Sequence, residues 1–331
     1  MKVSPLLVVA GAVGAIAAWR ALTSNDDEHG SAAPPLGGAT EPTNFGPPPM
    51  PGVPTGTREF QTESDSGREW VRTLPDQNSD AREDAIIAAV RAGFFISPSW
   101  QPIEFTRDQI RVRFFAATDA LMIGATDPIR INARHGTAQL IADLLGCVLP
   151  TSRMSDLAWV AAHDLGGDIP PQILPADRRM TSIARMIEHS DLVTRARRAR
   201  GVPEGEMARD VGKDWVNTER LLEADGSVAS STAEGSQPAA ANFGWHISAS
   251  SSKSPGKLPV IQSVGLAHGF THVDYSQVVT LYRVDCEIDG RSRAVEEVLR
   301  DPRIAYLLSD EVPKGLDCRV TRYPLVPRPI A

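Results

Sequence analysis

Apolar positions recur at helical spacing in the middle of the chain and tend to alternate toward its two ends. Residues 79–92 (SDAREDAIIAAVRA) predict a helix, with Ser79 or Asp80 as its cap, acids in its first turn and Gly93 after its end. The runs 109–116 (QIRVRFFA) and 120–124 (ALMIG) predict strands, and Asp127-Pro128 predicts a turn before a further strand at 129–132. Ala138, Ile141, Ala142, Leu145 and Val148 share one helical face, so 137–149 is expected to be a helix that Pro150 stops. A second helix is expected from Thr151 or Ser152 to Ala162 and a third over 180–200, with an extended connector at 168–175 between them. Residues 226–240 are of low complexity and predict an exposed loop. Strands follow at 242–248 and 278–288, the latter bounded by the turn dipeptide Asp289-Gly290. A short helix is expected at 294–299, and Asp301-Pro302 breaks it before another helical turn at 304–308. The fold class is therefore α+β: a single globular domain with central helices and flanking, mostly antiparallel strands.

The first seventy residues follow another pattern. Lys2 precedes an uncharged run, 3–19 (VSPLLVVAGAVGAIAAW), and Arg20 ends it. At 1.5 Å per residue such a helix spans roughly 25 Å, close to the ~30 Å bilayer core. A basic start and small residues fit a cleaved signal peptide; Trp19 and Arg20 at the interface fit a retained membrane anchor. Residues 21–70 are dominated by Pro, Gly, Ser and Thr and lack apolar periodicity, which predicts a disordered, extended linker. The globular domain is placed at 71–331. Together these features predict an exported protein, membrane-anchored or periplasmic/extracellular.

Charge narrows the partners. The chain carries a formal net charge of -7, so no basic excess suits phosphate binding, and nucleic acid is not an expected partner. Arg195, Arg197, Arg198 and Arg200 are read as a solvated helix end. Cys147, Cys286 and Cys318 contain no Cys-x-x-Cys spacing. Cys286 and Cys318 are candidates to pair in an oxidising compartment, and Cys147 reads as a buried small residue.

No Walker loop, nucleophile elbow, zincin motif or dinucleotide fingerprint is present in the sequence. The most suggestive segment is 265–277, GLAHGFTHVDYSQ. Read as a strand, it puts His272, Asp274 and Ser276 on one face, the residue types of general-base work, with Tyr275 or a bound water as a further attacking or stabilising group. Same-face neighbours lie about 6.6–7 Å apart, long for a direct triad. His246, His268, His272 and Asp274 are also acceptable zinc ligands, so zinc is the one cofactor considered. The bland alternative is that Asp274 caps a turn and these groups satisfy loop backbone. Trp245 is read mainly as core, with a sugar-packing face as the alternative. Glu104 is a carboxylate in an apolar setting suited to a general acid, and His135, His163 and His189 are expected at helix edges.

The segments AQLIADLLGCVLPTSRMSDLAW (138–159), FGWH (243–246), HVDYSQVVTLYRV (272–284) and VEEVLRDPRIAYLLSDE (295–311) resemble a group of uncharacterised bacterial secreted proteins. The resemblance covers part of 138–311. It implies export and one continuous domain, and it brings no established activity. The functional expectation is an envelope-facing hydrolase acting on peptidoglycan or another extracellular polymer, reaching the membrane through its N-terminal segment. The alternative is a non-catalytic envelope or virion structural protein that binds an envelope polymer or protein.

Overall fold

The computed structural model describes residues 65–177, 179–247 and 258–328. The apolar run at 3–19 and nearly all of the linker lie outside these residues. In chain order the helices are α1 (Gly67–Thr73), α2 (Asp80–Arg91), α3 (His135–Leu144), α4 (Ser152–Asp164), α5 (Ile183–Ala199) and α6 (Val295–Leu299). The strands are β1 (Phe95–Ile96), β2 (Trp100–Arg107), β3 (Ile110–Ala117), β4 (Met122–Ile123), β5 (Ile129–Arg130), β6 (Cys147–Val148), β7 (Lys213–Trp215), β8 (Ala239–His246), β9 (Val260–Gly269), β10 (Gln277–Val278), β11 (Tyr282–Ile288) and β12 (Arg291–Ala294). They form three sheets, ordered β1-β4-β5, β10-β7-β8-β9 and β12-β11-β3-β2, with β6 also paired to β11. Every ladder is antiparallel except β10 with β7. The result is the α+β domain that the apolar pattern predicts. None of the described helices is long and apolar enough to cross a membrane.

Local signals account for most boundaries. Ser79 caps α2 by accepting from Arg82 N, and Thr151 caps α4 by accepting from Met154 N. The helix expected over 137–149 instead spans His135–Leu144. Gly146 takes the left-handed conformation (φ 61°) and turns the chain into β6, so Cys147 is buried on a strand. The folded part also begins earlier than residue 71: α1 starts at Gly67, and Gly67 and Trp70 are buried.

Strand β2 and the division of 278–288 escape the sequence pattern. Strand β2 contains Pro102, which an edge strand tolerates, and β2 is the edge of its sheet. Its two-residue turn to β3 is Asp108-Gln109, both at positive φ, without the glycine that usually marks such a turn. The apolar run 278–288 divides between two sheets. Around the break Leu121 donates to Val279, Val279 to Ile131 and Ala117 to Leu281.

The five-stranded sheet packs Ile103, Val112, Phe114 and Tyr282 against Met154 and Leu157 of α4 and Val295, Val298 and Leu299 of α6. In the four-stranded sheet, β8 is buried on both sides. Ala240, Trp245 and Trp215 join the core that contains Tyr275, Ile141 and Ile187, while Ala239, Ala241 and Phe243 face Tyr323 and Val326. All three cysteines are buried and free, so Cys286 and Cys318 do not pair. Arg197 is not a solvated helix residue: it is buried and its guanidinium binds Asp119.

Candidate metal centre

His268 stands near the end of β9, where the strand meets the loop that precedes β8. Ser231 fixes that loop. Its hydroxyl donates to the Ala267 carbonyl (2.8 Å) and accepts from Glu234 N (2.9 Å). Thr232 N donates to the Leu266 carbonyl, so the loop runs along β9 and brings Glu234 to His268. At this crossing Gly269 packs closely on the Gln237 side chain, and a Cβ there would lie 2.8 Å from Gln237 Oε1. The chain then turns. His272 N donates to the Gly269 carbonyl, and the His272 ring stacks on His268 with centroids 3.8 Å apart. Thr271 Oγ1 donates to Gln237 Oε1, and the Asn78 side chain donates to the Thr271 carbonyl, tying the turn to both sides.

One carboxylate and two imidazoles thereby converge. Glu234 Oε1 lies 2.7 Å from His272 Nδ1 and 3.5 Å from His268 Nδ1. One ligand atom from each of the three residues falls within 4.8 Å of the others. Ligand atoms of a tetrahedral zinc site are ~3.3 Å apart for bonds of about 2.0–2.1 Å. The His268 contact already has that spacing, and the His272–Glu234 hydrogen bond must open by about 0.6 Å on the same geometry. The side chains are 20% exposed for each histidine and 29% for Glu234, so an ion can reach them from solvent. Burial, and then the neighbouring His272, lowers the His268 pKa and favours the neutral imidazole that a metal requires.

Asp274 stands behind His272, with Oδ2 3.7 Å from His272 Nε2. Its Oδ1 accepts from Ser276 N (2.7 Å) and Ser276 Oγ (2.5 Å). Burial works against its charge, but His272, Lys213 and the Ser276 donors hold its pKa well below the usual carboxylate range. An ionised carboxylate facing the second nitrogen of a ligating histidine is the usual orienting partner in metal sites.

These contacts revise the sequence expectations. Residues 270–276 form a loop rather than a strand, so the alternating face does not exist. The Ser276 hydroxyl is a buried donor to Asp274 within a turn, not an attacking group aimed outward. Tyr275 is buried, and its oxygen accepts from Leu174 N (3.0 Å), which removes it as an attacking or stabilising group. Glu104 is exposed and ion-paired with Arg113 at 2.6 Å, so its setting is not apolar. Trp245 is 5% exposed and offers no face to a sugar. The ligand that sequence reasoning missed is Glu234, hidden in the stretch read as an exposed loop.

His246 belongs to a different place. It pairs in register with Val260, whereas Ala240 pairs with His268. Six residues of strand separate the two positions, roughly 20 Å at ~3.3 Å per residue. The His246 Nδ1 and Nε2 atoms each lie 2.9 Å from a carboxylate, of Asp210 and Asp156 respectively. Asp210 also accepts from Trp245 N and His246 N. These bonds hold Trp245 at φ 58° and Asp210 at φ 62°, where side chains are strained. Ser155, Arg209, Asp214 and His246 line a cavity of about 10 Å³ beside them. That is room for roughly one water and not for a substrate group. His246 is thus a buried structural cation.

His135 is buried too, stacked between Trp215 (5.0 Å) and Tyr323 (4.0 Å). Burial pushes its pKa down to about 3 and that of buried His189 down to about 4. For His246 burial opposes protonation, yet the Asp210 and Asp156 carboxylates raise the pKa to about 10. The signs give a two-sided pH profile. Below about 6.5 the unfolded chain takes up protons that folded His135 and His189 refuse, so stability falls as pH drops toward 3. The His246 contribution is complete below about 6.5 and is lost as pH rises toward 10. Urea midpoints between pH 4 and 10 are expected to peak near pH 6–7. His135→Phe should flatten the acid limb and His246→Gln the alkaline one; limbs unchanged in both variants would contradict the assignment.

Compared with protein-family models, curated proteins and solved structures, the chain matches none of them.

Proposed function

We propose that this chain is a metal-dependent hydrolase that acts at the cell envelope, on peptidoglycan or another extracellular polymer. The observation that carries the reading is the convergence of Glu234, His268 and His272, backed by Asp274. Two imidazoles and a carboxylate suit zinc, and three protein ligands leave a position for water. Zinc lowers the pKa of a bound water to about 7 and polarises a carbonyl, the chemistry needed to split an amide or ester. Glu234, His268 and His272 would hold the ion, and Asp274 would orient the His272 ring. The uncharged run 3–19 and the Pro-rich segment behind it support the envelope location.

The full chain loaded with zinc is expected to release soluble fragments from purified peptidoglycan, to stop on addition of a chelator and to resume when zinc is restored. Zinc-loaded protein that releases nothing from peptidoglycan or from other envelope polymers would sink the hydrolase reading. It would favour the non-catalytic envelope or virion structural protein instead.

A further inference from the structure

Strand β7 sends its side chains to opposite sides, and each side carries a polar cluster. Asp214 accepts from the Ser155 hydroxyl and lines the small cavity at His246. Lys213 turns the other way, with its ammonium 5.0 Å from the Trp245 ring centre, on the side of Asp274. We propose that Lys213 forms an anion subsite beside the metal centre and takes a carboxylate of the substrate. The inference rests on the metal-hydrolase reading and adds the substrate class: a peptide with a free carboxylate close to the bond that is cut.

Three observations support the subsite. Lys213 is 7% exposed, and among the described residues its ammonium has neither a hydrogen bond nor an ion pair. A buried ammonium is normally paired, because desolvation is compensated only by an opposite charge. Burial accordingly lowers the Lys213 pKa, with Asp274 the one charge acting to raise it.

The groups around Lys213 are also incomplete. Gln277, its register partner on β10, spends Oε1 on Asp274 N and leaves Nε2 without a partner. Trp245 Nε1 and His189 Nε2 are buried and unpartnered as well. His189 packs against both Trp245 and Tyr275, and the charges of Lys213 and Asp274 act on its ring. Buried polar atoms are rarely left unpaired in native proteins. Lys213, Gln277 Nε2 and Trp245 Nε1 are all donors, which calls for an acceptor.

Charge identifies that acceptor. Glu234 and Asp274 supply two negative charges, while a divalent ion and Lys213 supply three positive ones. A single carboxylate neutralises the centre. Its two oxygens suit several donors at once.

The test uses the full chain, with and without zinc, and two probes: N-acetylglycine, which carries a carboxylate, and the neutral N-acetylglycinamide. Ligand-detected NMR titration is expected to show the acid binding at least about tenfold more tightly than the amide. Lys213→Met should weaken the acid by about tenfold or more, leave zinc uptake intact and keep the protein folded, whereas Lys213→Arg should retain part of the binding. Comparable binding of the two probes, binding of neither, or an unchanged affinity for the acid in folded Lys213→Met would overturn the subsite. Should Lys213→Met fail to fold, the acid-against-amide comparison on the unmodified chain decides. Zinc content of the same samples separates the readings: zinc bound without acid preference counts against the subsite alone, and zinc not bound counts against the metal centre.

Discussion

Asp119→Ala is expected to destabilise the protein by about 3–5 kcal/mol, the range for removing one partner of a buried ion pair. Asp119 holds Arg130 in a two-pronged contact, Oδ1 to Nε at 2.7 Å and Oδ2 to Nη2 at 2.6 Å. The same Oδ2 accepts from Arg197 Nη1 at 2.5 Å. All three side chains are at most 6% exposed. Burial opposes the charge on Asp119, but Arg130 and Arg197 keep its pKa below the usual carboxylate range. Through these contacts β5, α5 and the end of β3 are tied together. Alanine would leave two guanidiniums buried without a counter-charge, because their remaining bonds, to the Thr194 hydroxyl and to the Ser190, Val202, Pro203 and Glu206 carbonyls, are all to neutral acceptors. In thermal unfolding the midpoint should fall by about 6–20 °C for a domain of this size. A loss under about 1 kcal/mol would mean that the triad is not closed as described.

His272→Ala carries the second large effect. It removes a proposed ligand, the stack on His268 and the contact with Asp274 together. Zinc affinity should fall by more than about 100-fold, beyond the roughly 10–100-fold that loss of an outer partner causes. Asp274→Asn should fall within that smaller range, because His272 remains a ligand but loses a charged orienting group. Zinc-dependent hydrolysis should follow the same order. His246→Gln provides the contrast: its site is roughly 20 Å away by strand register, so it should lower stability and leave zinc affinity unchanged. Competition titration against a chromophoric chelator reads all three. Zinc affinity lost in His246→Gln and kept in His272→Ala would invert the assignment.

Local physics made much of the fold legible. Ser79, Thr151, Gly93 and the Asp289-Gly290 turn are short-range signals and mark their boundaries correctly. Strand β2 was not legible, because Pro102 argues against a strand until its edge position is known. The division of 278–288 was equally hidden, since an apolar run is compatible with one long strand or with a crossing between two sheets.

The candidate site was half legible for the same reason. His268, His272 and Asp274 are close in sequence, and their residue types point to metal or acid–base chemistry. Glu234 reaches them only through the loop that lies along β9, a pairing that composition does not encode. His246 carries the same chemistry in sequence and is sent elsewhere by the β8–β9 register. Lys213 and Asp214 are adjacent in sequence, and strand alternation commits them to separate clusters.

The most direct test of the central claim is a zinc titration of the full chain, read by metal content after dialysis and by the thermal midpoint. Uptake of a single equivalent with a raised midpoint, both lost in His268→Ala and His272→Ala, is the predicted result. A chain that retains no zinc, or retains it equally in those variants, would contradict a metal centre at Glu234, His268 and His272.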